Sequence, residues 1–106
     1  DDTTAFQNAL AAHGSVYVPR GTYLISSTIT LGFGQSLTGS GQSSILSAGS
    51  SVPAVIEMAH GYGKISDLRI EGGDIGLLLR GRLGPCVQNT VRDVTFWLQG
   101  RGVVLD

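Results

Sequence analysis

The second half of the chain contains the same residue pattern twice. Residues 65–70 match residues 91–96 at an offset of 26 positions, and residues 76–79 match residues 102–105 at the same offset. Two blocks that keep one offset across an intervening segment indicate a repeat architecture, for which periods of about 20–50 residues are typical. Within each block the apolar residues alternate, which is the periodicity of a strand. Stacked repeats of short strands predict a parallel β-solenoid.

The composition is compatible with one folded domain rich in β-structure. Of the 106 residues, 42% are apolar, 14% are charged and 16 are glycine. The net charge is −1 and the basic residues are scattered, which argues against a nucleic-acid partner. The sequence has no apolar run long enough to span a membrane and no signal-peptide pattern. Cys86 is the single cysteine, so an internal disulfide is excluded.

The first fourteen residues predict an amphipathic helix. Asp2 or Thr3 can serve as the N-cap, and Thr4 with Gln7 has the spacing of a capping box. Gly14 is expected to end the helix. The predicted apolar stripe consists of Ala5, Phe6, Ala9 and Leu10. Because an isolated helix of this length is marginal in water, we expect it to bury that stripe over the first coil of the solenoid.

Short β-rich segments fill the chain between this helix and the repeat. The predicted strands are 16–18, 22–25, 28–31, 36–41, 44–46 and 54–59. Strands of this length separated by glycine, proline and serine turns are compatible with a sandwich, a barrel or a β-helix. The offset of 26 favours the β-helix.

Three segments resemble the opening of the pectate-lyase superfamily. They are Asp1–Gln7, Val16–Tyr23 and Leu37–Gly41, which correspond to the patterns D-D-T-x-A-F-Q, V-Y-V-P-x-G-T-Y and L-x-G-x-G. The resemblance implies an all-β fold, a right-handed parallel β-helix, with residues 1–14 as a capping helix and residues 15–106 as the first coils. It also implies that the sequence is a fragment of a longer protein.

The same resemblance implies a function on polysaccharides. The superfamily includes bacteriophage tailspikes and secreted polysaccharide lyases, hydrolases and epimerases. We expect the N-terminal part of a tailspike that binds and depolymerises a bacterial surface polysaccharide, acting as a homotrimer in the virion tail. The alternatives are a secreted bacterial lyase or epimerase of the superfamily and an adhesive spike without an active site.

The alternation sorts the repeat residues into an inner and an outer set. The expected inward residues are Ile65, Leu68, Ile70, Leu77 and Leu79, with Val91, Val94, Phe96, Val103 and Leu105 stacked on them. The expected outward pairs are Arg69 with Thr95, Glu71 with Trp97, Leu78 with Val104 and Arg80 with Asp106.

Asp67 and Asp93 occupy equivalent positions in the repeat. Paired carboxylates can cleave glycosidic bonds, but those of glycosidases are about 5 Å or more apart, whereas stacked strands are only ~4.8 Å apart. Aspartate also tolerates the left-handed backbone that a sharp bend requires. We therefore interpret both residues as bend positions.

Glu71, Asp74 and Arg69 are the candidate catalytic residues. They lie on the outer face and in the following loop, and could supply a general acid, a base and a positive charge. Glu57 and His60 form a weaker second set. Solvated surface positions are the alternative interpretation for all of these carboxylates.

Trp97 and Arg101 are the candidate substrate-binding residues. An outward indole can stack on a sugar ring, lie in a subunit interface or pack under a loop. The outward apolar pair Leu78 and Val104 favours an interface, because a repeated external apolar position forms a stripe that needs covering. No cofactor and no metal cluster is predicted, although carboxylates from later coils could bind calcium.

Overall fold

A computed structural model describes residues 2–49, 51–58, 61–79, 89–97 and 101–105, and for Arg101 and Leu105 it describes the backbone alone. The elements are α1 (Thr3–His13), β1 (Ser15–Val18), β2 (Gly21–Ile25), β3 (Ile29–Leu31), β4 (Ser36–Gly39), β5 (Ser44–Ala48), β6 (Ala54–Met58), β7 (Lys64–Gly72), β8 (Ile75–Leu79), β9 (Thr90–Trp97) and β10 (Arg101–Leu105). Each strand predicted from the sequence is present.

The strands form three parallel walls. The first wall contains β1, β4 and the first halves of β7 and β9, and the second contains β2, β5 and the second halves of β7 and β9. The third wall has the order β3-β6-β8-β10. One passage around the three walls is a rung, and the described residues form four rungs. The predicted right-handed parallel β-helix with one N-terminal helix is confirmed.

The strands of successive rungs stay in register, although the number of residues per rung varies. From the third rung to the fourth, Ile65 pairs with Val91 and Leu77 with Val103, both at the predicted offset of 26. Between the first two rungs the offset is 21 residues at Ser15, 23 at Gly21 and 27 at Ile29. The turns therefore absorb insertions, while the walls keep equivalent residues above one another.

The inner side chains form one hydrophobic core along the axis. Of the predicted inward residues, Ile65, Leu68, Ile70 and Leu77 are fully buried, and Leu79, Val94 and Phe96 pack against the core. Val91 and Val103 keep the predicted register but are exposed, contrary to expectation. They belong to the fourth rung, and no described strand pairs with its upper edge.

Asp67 and Asp93 make the corner between the first and second walls in rungs three and four. Their φ angles are 57° and 54°, in the left-handed region that few residues other than glycine adopt. The carbonyl oxygen of Asp67 accepts the N–H of Gly41, 2.9 Å away, which ties this corner to the one below. The bend predicted at both positions is confirmed.

Helix α1 covers the lower end of the core. Phe6 and Leu10 are buried, and Phe6 contacts the ring of Tyr23 edge-to-face at 5.4 Å between centroids. Ala5 is exposed and Ala9 is half-buried, so the apolar stripe is narrower than predicted. The helix ends where the N–H of Gly14 donates to the carbonyl of Leu10.

The polar residues of α1 bind the first rung instead of capping the helix, which corrects the prediction of a capping box. Asp2 makes no side-chain cap; its Oδ2 accepts the N–H of Leu24 at 2.9 Å. Thr3 Oγ1 accepts the N–H of Ser26 at 3.0 Å. These backbone groups lie on the edge of the first rung, below which the described residues place no strand.

Gln7 satisfies both backbone groups of one edge residue. Its Oε1 accepts the N–H of Thr30 at 2.7 Å, and its Nε2 donates to the carbonyl of Thr30 at 3.2 Å. The side-chain amide thus takes the place of a peptide group in a neighbouring strand. A free strand edge can pair with another chain, so this contact protects the lower end of the β-helix.

We expect Gln7→Ala to lower the free energy of unfolding by about 1–3 kcal/mol, because Thr30 loses both hydrogen bonds at a half-buried edge. The matched control is Asn8→Ala, which removes an exposed amide from the same helix and should cost less than about 0.5 kcal/mol. Urea denaturation followed by circular dichroism measures both values. Equal values for the two variants would contradict the role of Gln7.

The exterior of the third wall differs from the sequence prediction. Leu78 pairs with Val104 as expected, but Leu78 is only 9% exposed and Val104 is half-buried. Leu78 is covered within its own chain, so the pair does not form an exposed apolar stripe that needs a neighbouring subunit. The predicted pair Arg80 and Asp106 lies outside the described residues.

Candidate functional site

The exterior of the second wall carries two columns of side chains. The column defined by the register of Arg69 consists of Thr22, Ile45, Arg69 and Thr95. The column defined by the register of Glu71 consists of Leu24, Ser47, Glu71 and Trp97. Because residues two apart in a strand share a face, the columns lie side by side on the surface.

Arg69, Glu71 and Trp97 meet at the upper part of these columns. Arg69 Nε lies 2.8 Å from Glu71 Oε2, and the Arg69 guanidinium carbon lies 4.9 Å from the centre of the Trp97 ring. The Nε–H is not aligned for a hydrogen bond, so the contact with Glu71 is an ion pair. We call these three residues the Trp97 cluster. It confirms the predicted outward placement of all three side chains.

Burial holds the Trp97 cluster in a defined geometry. The side chains of Arg69 and Glu71 are 28% and 25% exposed, whereas Trp97 is 51% exposed. The guanidinium therefore supports the indole from the rung below, and a large part of the indole remains accessible. Among the described residues, no loop covers the exposed part of Trp97.

Gln42 extends the polar surface next to the cluster. Its Nε2 donates to Thr95 Oγ1, which links the corner of the second rung to a strand of the fourth. Thr95 is paired with Arg69, so this bridge lies in the same column as Arg69. Below the cluster, an open depression of about 470 Å³ lies at the ends of β2 and β5 and is lined by residues 24–26 and 47–49.

This arrangement is suited to binding a sugar. An exposed aromatic face, a carboxylate and a guanidinium offer stacking and hydrogen bonds to hydroxyl groups. Glycoside hydrolysis needs two carboxylates that flank the bond. Glu71 is one carboxylate at the cluster, while Asp74 lies in the exposed turn between β7 and β8, after the glycines at 72 and 73. The described residues therefore bring together groups that could contact a sugar, but only one carboxylate at the cluster.

The other candidate residues are dispersed. Arg101 begins β10 and pairs with Ile75, but its side chain lies outside the described residues, as do His60 and Cys86. Glu57 is half-buried on the third wall, away from the Trp97 cluster in the topology. Among the described residues, no three His, Cys, Asp or Glu side chains are grouped so as to hold a metal ion. No described helix is long and apolar enough to cross a membrane.

Two features of the surface escaped the sequence interpretation. Gln42 lies between the predicted strands 36–41 and 44–46, and nothing in the sequence indicates that it reaches across two rungs. Phe33 and Tyr62 lie between predicted strands, and they form an exposed aromatic pair. The sequence does contain a pattern that could have indicated this pair, because each aromatic residue is flanked by glycines. In the structure, both residues lie in turns that connect the third wall to the first.

Comparison with known proteins supports the fold. Neither curated proteins nor solved structures give a match to the chain. A family model described as rhamnogalacturonase A/epimerase, pectate lyase-like, matches residues 1–55, which is half of the chain. The match covers α1, the first rung and the second rung as far as β6 (Ala54–Met58), and it ends before the Trp97 cluster. By this match and by its parallel β-helix, the chain belongs to the pectate lyase-like family of rhamnogalacturonase A and epimerases.

Proposed function

We propose that the chain is part of a tailspike-type β-helix that binds and depolymerises a bacterial surface polysaccharide, with the exterior of the second wall as its binding surface. The observation that carries the proposal is the Trp97 cluster, in which a half-exposed indole is supported by the guanidinium of Arg69. An indole fixed in this way can stack on a sugar ring with little loss of side-chain entropy.

The depression below the cluster favours an extended ligand over a single sugar. It is lined by residues 24–26 and 47–49 and lies on the column that leads upward through Glu71 to Trp97. A polysaccharide could therefore contact several rungs, with its chain running along the axis of the β-helix. In this proposal Glu71 and Arg69 also bind sugar hydroxyl groups at the upper end.

The proposed depolymerisation requires groups in addition to the Trp97 cluster. Hydrolysis would place Glu71 opposite a second carboxylate. β-Elimination would need a base and a positive charge, such as Arg69, to stabilise the developing negative charge. New reducing ends together with ultraviolet absorbance from an unsaturated product would indicate elimination, and reducing ends without that absorbance would indicate hydrolysis. Binding with neither signal supports the adhesive alternative.

We expect Trp97→Ala to weaken polysaccharide binding by about tenfold or more, because an aromatic anchor contributes a large share of the binding free energy. A panel of immobilised capsular and O-antigen polysaccharides identifies the ligand, and calorimetry with the soluble polysaccharide measures the Kd. The control is Tyr17→Ala, which removes an exposed aromatic side chain from the first wall and should leave the Kd unchanged.

Trp97 is also a reporter of this binding. It is the single tryptophan in the sequence, so a ligand that stacks on it should shift or quench the intrinsic emission of the protein. Absence of binding to any polysaccharide, or equal losses of affinity in Trp97→Ala and Tyr17→Ala, would overturn the proposal. A trimer in solution favours a tailspike, whereas a monomer favours a secreted lyase or epimerase.

A further inference from the structure

The corner between the first and second walls is longer in the second rung than in the rungs above it. Seven positions separate Thr38 from Ile45 in the second rung. Their partners in the third rung, Ser66 and Arg69, are only three positions apart, and the fourth rung repeats this short spacing. The second rung therefore has additional residues at this corner. They belong to residues 40–43, between β4 and β5, which we call the second-rung corner.

Hydrogen bonds fix the backbone of the second-rung corner. The N–H of Gly41 donates to the carbonyl of Asp67 at 2.9 Å, which attaches the corner to the rung above. The Oγ of Ser44, a fully buried residue, accepts the N–H of Ser40 at 2.9 Å and donates to the carbonyl of Val18 at 2.8 Å. This second contact ties the corner to the rung below. A side chain that extends from the corner therefore starts from a fixed backbone, and a contact that it makes costs less conformational entropy.

Gln42 connects the second-rung corner to the fourth rung. Its Nε2 donates a hydrogen bond to Thr95 Oγ1. In the column that contains Thr95, Ile45 belongs to the second rung and Arg69 to the third. Successive rungs are about 4.8 Å apart, so this bridge has to reach past a whole rung. The rung that it passes is the one to which Arg69 belongs.

The side chain of Arg69 is more enclosed than its place on the exterior suggests. Its Nε atom is inaccessible to solvent, although the side chain as a whole is 28% exposed. Glu71 Oε2 lies 2.8 Å from this Nε, and the ring of Trp97 lies 4.9 Å from the guanidinium carbon. An arginine on an open sheet surface has many rotamers, and holding one of them costs side-chain entropy. Contacts that close the other directions lower this cost and keep the guanidinium against the indole.

We propose that Gln42 is a positioning residue of the Trp97 cluster. Its bridge to Thr95 closes the space between Arg69 and the corner, so the guanidinium is directed the other way, toward Glu71 and the indole. Arg69 in turn holds the indole in one orientation. Gln42 acts through these two residues and does not touch the ligand. An effect of Gln42 on affinity rests on the proposed function, whereas its effect on Arg69 is a property of the unliganded protein.

The test compares Gln42→Ala with Ser43→Ala in the unliganded full chain. Both positions are exposed, so both variants should fold, which circular dichroism verifies. The Nε–H of Arg69 should give a slowly exchanging signal in proton–nitrogen correlation spectra, because this atom is buried, and Arg69→Lys identifies the signal by its loss. We expect Gln42→Ala to speed this exchange about threefold or more, the effect of one net hydrogen bond. Acrylamide quenching of Trp97 emission should increase as well, and Ser43→Ala should change neither value.

Variants of Thr95 distinguish the bridge from a general loss of stability. Thr95→Val keeps the shape of the side chain without the hydroxyl, so it should match Gln42→Ala, whereas Thr95→Ser keeps the Oγ and should behave like the parent. The double variant Gln42→Ala/Thr95→Val should be no worse than either single variant, because both changes remove the same bond. An unchanged Arg69 exchange rate in Gln42→Ala, or fully additive effects in the double variant, would overturn the positioning role.

The affinity of the same variants separates this inference from the proposed function. For a polysaccharide that the parent binds, Gln42→Ala should raise the Kd about two- to tenfold, and Ser43→Ala should leave it unchanged. An equal Kd in Gln42→Ala, with the Arg69 exchange rate raised, would overturn the effect on affinity. If the parent binds no polysaccharide, the proposed function fails, while the Arg69 exchange rate still decides whether Gln42 positions the guanidinium.

Discussion

Replacing Leu68 by aspartate is expected to prevent the chain from folding. Leu68 is fully buried in the core and pairs with Val94 on the rung above. An unpaired carboxylate at this position loses its hydration without gaining a partner, at a cost of about 4–5 kcal/mol or more. That cost is comparable with the whole stability of a small domain, about 5–15 kcal/mol. Circular dichroism should show the loss of β-structure, and size exclusion should show an expanded or aggregated species.

The matched control for this variant is Leu24→Asp. Leu24 lies on the second wall like Leu68, but its side chain points outward and is 62% exposed. The same substitution there keeps the carboxylate in water and should change the free energy of unfolding by less than about 0.5 kcal/mol. A soluble Leu68→Asp variant with a native spectrum would show that the inward assignment is wrong.

Gly72→Ala, at the last residue of β7, is expected to be strongly destabilising. A Cβ atom at Gly72 would lie 1.8 Å from the carbonyl oxygen of Ala48, the residue with which Gly72 is paired on the rung below. The φ angle of Gly72 is 77°, so alanine would also be strained. Because the clash is with backbone, β7 would have to move away from β5. We expect a loss of about 3–5 kcal/mol in the free energy of unfolding.

Gly34→Ala separates the two causes of that loss. Gly34 has a similar φ angle of 72°, but a Cβ atom there would meet nothing within 4 Å. Its expected cost is about 1–2 kcal/mol, which is the backbone strain alone. Urea denaturation of both variants should therefore give a clearly larger loss for Gly72→Ala. Equal losses would mean that strand β7 moves at no cost and that the rungs are not closely packed.

The fold was predictable where the turns are short and alike. Asp67 and Asp93 each turn the corner between two walls with one residue, so the third and fourth rungs have equal spacing and the repeat is visible in the sequence. The earlier corners are longer, and the offsets of 21, 23 and 27 residues at Ser15, Gly21 and Ile29 hide the same repeat. Equivalent residues of a β-helix always lie above one another in the structure. They recur at a fixed interval in the sequence only when successive turns have the same length.

The roles of the polar residues were harder to predict than their positions. The alternation correctly placed Arg69, Glu71 and Trp97 outside, but it could not show that the guanidinium reaches the indole across one rung. Asp2 and Gln7 were interpreted as helix caps because local spacing is all that a sequence displays. Their partners, Leu24 and Thr30, lie more than twenty residues away, on an edge that exists only once the first rung has formed.

The hydrogen bonds between α1 and the first rung also affect when these two parts can fold as the chain is synthesised. The helix leaves the ribosome before the first rung, but an eleven-residue helix is marginally stable alone, and its anchoring partners emerge later, from Leu24 to Gln35. We therefore expect the helix and the first rung to become stable together, once residues 24–35 are available for these contacts. Later rungs can be added to the first rung as they emerge, each using the rung before it as a template.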